Sequence, residues 1–140
     1  MDICKNFTNV RENIESSKEI DEETKEMLIE TMDNLLEEIG KYYIVIFDSE
    51  TARFGFKEDA VDINDYQSRV KEFDTKRRNM HNEIINDIVM IDRFCKNNNM
   101  PLLYGKLSDE ELKNSSLIKK SSSRRTEVAQ DIIKAVGKML

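Results

Sequence analysis

The sequence predicts an all-α fold, an up-and-down helical bundle built on a long antiparallel hairpin of residues about 21–50 against 62–97, with shorter first and last helices closing it. Three observations carry that prediction. Apolar residues recur at three- and four-residue steps along both long segments, as on a half-buried helix. Charged residues make up 36% of the chain, with one Pro and four Gly, a composition suited to helices with solvated outer faces. Only one stretch has the β-branched and aromatic content of a strand, and a lone strand leaves its backbone groups unpaired. At 140 residues the chain is expected to form one domain with a single core.

Taken in order, Met1–Lys18 reads as a short amphipathic helix with Ile3, Phe7, Val10 and Ile14 on its apolar seam. Asp21 caps a second helix, with Glu22 and Glu23 in its first turn, where the helix dipole favours anions. Its stripe is Leu28, Met32, Leu35, Leu36, Ile39, Tyr43 and Ile46. Tyr42–Phe47 is the strand-like piece; lacking a partner strand, it is assigned to this helix, which is extended to about Glu50. Gly40 inside the helix costs about 1 kcal/mol against Ala, so a close helix–helix approach or a slight bend is expected there. Thr51–Val61 is expected to be the connection, with Gly55 as the turn residue; a turn centred near residue 57 sets Gly40 roughly opposite Asp74 and Arg77.

The third helix, capped by Asp62, carries the stripe Tyr66, Val70, Phe73, Met80, Ile84, Ile88 and Ile91. It stops at Asn97-Asn98-Asn99 before Pro101. Residues 98–122 are the least regular, with a capping box at Ser108–Glu111 that starts one short helix. Lys119–Arg125 is a basic bridge into the last helix, Arg124 to about Lys138, which buries Val128, Ile132, Ile133 and Val136.

The net charge of −6 is unevenly spread: residues 1–50 hold 14 acidic and 5 basic side chains, and residues 101–140 hold 5 acidic and 8 basic. An acidic first half argues against a chain that wraps a nucleic-acid backbone, and the complementary ends suit attraction within the fold or between protomers. No apolar run reaches membrane-spanning length, so no membrane partner is expected. Cys4 and Cys95 lie far apart in no metal-like spacing and are expected to be reduced thiols of a cytoplasmic protein. The abundance of Ile, Asn and Lys hints at an AT-rich bacterial genome.

One group breaks the pattern. At 100° per residue Arg77 falls within the third helix's apolar stripe, with Asp74 and His81 on its edge and Arg78, Asn82 beside them. A guanidinium on a core-facing line is costly unless paired. Three readings stay open for Asp74, Arg77, Arg78, His81 and Asn82. They form an internal polar network fixing helix register, with Asp74 three and four residues from the two arginines. They are catalytic, with His81 as general acid/base and Arg77 stabilising a pentavalent phosphate in metal-free RNA cleavage. Or they line a pocket for an anionic ligand or an acidic segment of a partner. A single His and the lack of a Glu three residues before it exclude a di-iron bundle, and no Walker sequence, Ser-His-Asp set or zinc-spaced Cys pair is present. Neither a metal nor a cofactor is expected.

The run Asp74-x-x-Arg77-Arg78-x-x-His81-Asn82, followed by Ile84, Ile85, Ile88, Ile91 and Arg93, resembles a family of small uncharacterised all-helical bacterial proteins. In that family a similar helix precedes a loop and a closing helix, matched here in style by Arg125, Glu127, Val128, Ala129 and Ile132. The resemblance covers about half the chain, from Asp62 onward, and implies an all-helical domain without an assigned activity. A looser resemblance, confined to one helix, is to HEPN-type helical ribonucleases, whose active-site helix carries Arg followed by His. Here three residues separate Arg77 from His81, a shorter spacing than is usual in that family. The expectation is a non-catalytic interaction or regulatory module that self-associates, with an unknown protein partner as a further option. The alternative is a small ribonuclease or toxin-type component using Arg77 and His81, in which nucleic acid enters only as substrate.

Overall fold

The computed structural model describes residues 3–57 and 63–138, with side chains described from Asn6 to Phe47 and from Asn64 to Lys138. The described chain is helical with no strand. It runs α1 (Ile3–Ser16), α2 (Glu22–Lys57), α3 (Ile63–Asn97), α4 (Asp109–Lys113), α5 (Ser116–Lys119) and α6 (Ser122–Gly137). The long hairpin is present as expected: α2 spans 36 residues, α3 spans 35, and they form the most extensive pairing in the bundle. Their direction follows from cross-contacts, because Thr31 meets Met90, Glu38 meets Asp87 and Tyr42 meets His81, an antiparallel progression.

That register corrects the sequence reading. The connection expected over residues 51–61 is helical through Lys57, Gly55 included, so α2 is longer than the 21–50 assigned to it. No proline or cap stops the helix after Glu50, and one glycine costs only about 1 kcal/mol, too little to end a helix that goes on forming backbone bonds. The cross-contacts put Gly40 near Glu83 rather than opposite Asp74 and Arg77. A Cβ built on Gly40 would meet nothing within 4 Å, so this glycine marks no close helix approach. Gly137 is the tight one, since a Cβ there would press on the Tyr43 ring. The Asp62 cap lies outside the described residues.

The core is one continuous cluster. It takes Phe7, Val10 and Ile14 from α1, Leu28, Met32, Leu35, Ile39 and Tyr42 from α2, and Ile84, Ile85, Ile88, Val89, Ile91 and Cys95 from α3. Val128, Ala129, Ile132, Ile133 and Val136 of α6 complete it, together with Leu103, Tyr104 and Ile118. Tyr43, expected on the buried stripe, is exposed, and Tyr42 takes the buried position. The Tyr43 hydroxyl donates to the Ile133 carbonyl at 3.2 Å from the rim. Cys95 is a free, buried thiol, pushed up to about 12 by desolvation and by the nearby Asp92.

Residues 98–121 hold two short helices where one was expected. Ser108 and Glu111 form the capping box at the start of α4, and α5 follows after Asn114. The segment before α4 is anchored by Asp92 of α3, 1% exposed, whose carboxylate accepts from the backbone N–H groups of Leu103, Tyr104 and Gly105 at 2.8–3.3 Å. Ser121 caps α6, accepting from the Arg124 amide, so the last helix starts slightly earlier than Arg124.

Candidate functional site

The apolar stripe of α3 does not bury all its members. Ile84, Ile88 and Ile91 are buried, but Tyr66, Val70, Phe73 and Met80 are only partly covered. The reason is length: α1 and α6 cover the base of the hairpin, and α3 continues beyond them. Where α6 begins, a cleft of about 1010 Å³ opens between it and α3. From α3 it is lined by Tyr66, Val70, Lys71, Asp74, Arg77, Arg78 and His81; Ser122, Arg125, Thr126 and Gln130 of α6 form the other wall.

Arg77 is therefore at the wall of a solvated cleft and not within the core. Its side chain is 43% exposed, and its Nη2 donates to Asp74 Oδ1 at 3.0 Å, the pairing expected from their spacing. Helical phase puts Arg77 in line with the apolar stripe, and in the structure that line forms a wall of the cleft instead of facing the core. The phase did not reveal that this face is uncovered at that height, because the extra turns of α2 move the hairpin tip away from the bundle. Arg78 lines the same cleft and has no ion-pair partner among the described residues. Asn82 is half-buried beside the site, with its Oδ1 buried and unpartnered, but it does not line the cleft.

His81 is the buried member, only 3% exposed. Its ring lies 5.3 Å from that of Tyr42, tilted by 33°, and the Tyr42 hydroxyl accepts from Gln130 Nε2 at 2.7 Å. Three helices thus meet at this imidazole. Its Nε2 has no hydrogen-bond partner. Desolvation, then the positive charges of Arg77 and Arg125, lower its pKa to about 4, so His81 is neutral at physiological pH. Together α3 and α6 bring the two guanidiniums to the walls of one cleft.

Arg125 is the residue that sequence reasoning left in a solvated basic bridge. It sits in the first turn of α6, where the helix dipole favours anions and opposes cations. Its neighbour Arg124 is compensated: Nε and Nη2 donate to Glu111 at 2.8 and 2.9 Å, and Nη1 reaches Glu127 at 3.0 Å. That fork holds the Glu111 carboxyl down to about 2. Arg125 has no carboxylate partner among the described residues; its Nη1 donates to the Lys119 carbonyl at 3.1 Å, and its buried Nε is unpartnered. The one signal in the sequence is a pair of adjacent arginines at a helix start, against dipole preference; that the second lacks a carboxylate partner is a fact of the packing.

A second polar cluster lies on the opposite side of α3. Glu38 of α2 and Asp87 of α3 face one another with Glu83 nearby. Burial and the carboxylates of Asp87 and Glu83 push Glu38 up to about 8, which favours a proton shared between Glu38 and Asp87. Among the described residues no three His, Cys, Asp or Glu side chains gather as a metal site requires, and no helix is long and apolar enough to cross a membrane.

Fold and cleft together define an all-α bundle with a basic, imidazole-floored cleft at the shoulder of a helical hairpin. No protein-family model, curated protein or solved structure matches this chain.

Proposed function

We propose that this protein is a non-catalytic cytoplasmic interaction or regulatory module whose α3–α6 cleft binds an anionic ligand or the acidic segment of a partner. One observation carries the reading: Arg77, Arg78, Lys71 and Arg125 line a single cleft in which Asp74 is the sole acidic wall residue. Arg77 is paired with Asp74, but Lys71, Arg78 and Arg125 have no carboxylate partner among the described residues, and such cations are most simply explained by a partner from outside the protein. The test is the melting temperature in rising concentrations of small polyanions at constant ionic strength. Ligand binding to the native state raises it with concentration. Arg78→Gln and Arg125→Gln are expected to lose most of that rise; an equal rise in wild type and both variants overturns the site.

The module self-associates in this reading. Ile44 and Phe47, one turn apart on α2, are 62% and 71% exposed, an arrangement suited to pairing with a second copy. Light scattering on a size-exclusion column tests this, and a clean monomer at high micromolar concentration overturns it.

The ribonuclease reading keeps one supporting observation. A neutral imidazole with an unpartnered, buried Nε2 at the floor of the cleft that Arg77 lines has the chemistry of a general base. Purified protein incubated with mixed RNA beside His81→Ala separates the readings; equal cleavage, or none, in both samples ends the enzymatic one.

A further inference from the structure

The cations of the cleft come from two helices, Lys71, Arg77 and Arg78 from α3 and Arg125 from α6. His81, the one buried residue of the lining, marks the inner end of the cleft; Arg77 of α3 and Arg125 in the first turn of α6 line the walls of the same cleft, and both charges act on the His81 ring. A helix start bearing an unpaired arginine presents backbone N–H groups and a fixed positive end. Beneath it lies an imidazole 3% exposed whose Nε2 has no partner. Donors converging from three directions suit a compact, doubly charged group with three equivalent oxygens better than the flat, singly charged carboxylate of a peptide side chain.

We propose that this inner end is the seat of a terminal phosphate, and that the ligand of the cleft is a small phosphate monoester. The inference rests on the anionic-ligand reading above and specifies its chemistry. The phosphate oxygens accept from the guanidiniums of Arg77 and Arg125 and from the Ser122 and Ser123 amides, the two of the first turn of α6 that Ser121 does not already engage. His81 Nε2 closes the site from below, in the tautomer that carries its proton there. The hydroxyls of Ser122 and Thr126, which line the wall one turn apart, are further donors. The cleft is far larger than one phosphate, and its outer part, along Val70 and Lys71, is the place for the organic portion of the ester. The groups facing His81 are Tyr42 from α2, Arg77 from α3 and Arg125 from α6. None is an anion, so a bound phosphate supplies the negative charge that this imidazole lacks.

His81 is the single histidine of the chain, which makes its ring protons an unambiguous reporter. Phenyl phosphate, inorganic phosphate, glutarate and poly-glutamate are titrated into the full chain and the His81 ring resonances are followed by NMR across pH. Phenyl phosphate is expected to shift them saturably and to move the His81 titration to higher pH. Inorganic phosphate acts in the same way but more weakly. Ser122→Glu places a carboxylate on the exposed first turn of α6, where folding tolerates or favours it, and is expected to weaken phenyl phosphate binding at least tenfold. A response to glutarate or poly-glutamate without one to either phosphate overturns the phosphate proposal and leaves the anion reading standing. No response to any of the four overturns both. Phosphate binding that leaves His81 unmoved, or that survives Ser122→Glu, puts the phosphate elsewhere and defeats the proposal.

Discussion

Arg77 shows how exposure decides what an ion pair is worth. Its side chain and that of Asp74 are each about half exposed, at 43% and 52%, so solvent screens the contact between them. Arg77→Ala is accordingly expected to change stability by about 0.5 kcal/mol or less in urea unfolding, while weakening anion binding. A loss of 2 kcal/mol or more would restore the buried-network reading that the sequence suggested. Glu38 behaves in the opposite way. Its carboxyl has a higher pKa in the folded protein, about 8, than the ordinary 4.5, so the fold prefers its protonated form. The stability this contributes is complete below about pH 4.5 and is lost as pH rises through about 8. Glu38→Gln keeps a neutral hydrogen-bonding group beside Asp87. Thermal melts of this variant are expected to lack the decline that wild type shows over that window; parallel profiles would refute the shared proton.

At the scale of elements, periodicity was informative wherever a helix has one face against the core. Phe7, Val10 and Ile14 of α1, Val128, Ile132, Ile133 and Val136 of α6, and Leu28, Met32, Leu35 and Ile39 of α2 are buried as their spacing predicts, Leu36 is partly buried, and the Ser108–Glu111 capping box is formed. The misplaced features are ones that local pattern does not encode. Gly55 has the look of a turn residue, and only the absence of a stop signal around it says otherwise. Asp92 is a single acid within an apolar stretch of α3, and its role depends on three backbone amides eleven to thirteen residues away. That carboxylate organises the chain reversal after α3. Asp92→Ala would strand the buried amides of Leu103 and Tyr104, and a loss of about 3 kcal/mol is expected in denaturant unfolding. A cost below 1 kcal/mol would show that the segment holds its course without the carboxylate. Of the candidate site, the α3 residues were legible because they share one helix face. Arg125 was not, because only tertiary packing brings the start of α6 against them.

Over the whole molecule, helices about 35 residues long run roughly 50 Å, more than α1 and α6 can cover. The buried core ends at Tyr42 on α2 and at His81 on α3; none of the described side chains nearer the hairpin tip is buried. The cleft lies at this boundary, between a fully packed bundle and a two-helix projection. The charge distribution matches the division, because the acidic outer face of α2 and the basic cleft lie on different parts of the surface.

That boundary has a consequence in time as well as space. Segments held by few buried contacts open by local fluctuation at a lower free energy than the core beside them. Backbone amides of residues 43–47 and 64–80 should therefore exchange with deuterated water through sub-global openings, well ahead of those in 28–42 and 81–95, which wait for the bundle itself to open. Mass-resolved exchange would show two kinetic classes meeting at Tyr42 and His81; a single uniform class would mean that the projection and the bundle open as one unit. A ligand gripping both α3 and α6 at that meeting point ties the faster class to the slower one. Occupancy of the cleft should then be readable as slowed exchange in 64–80, on an element that extends well beyond the ligand.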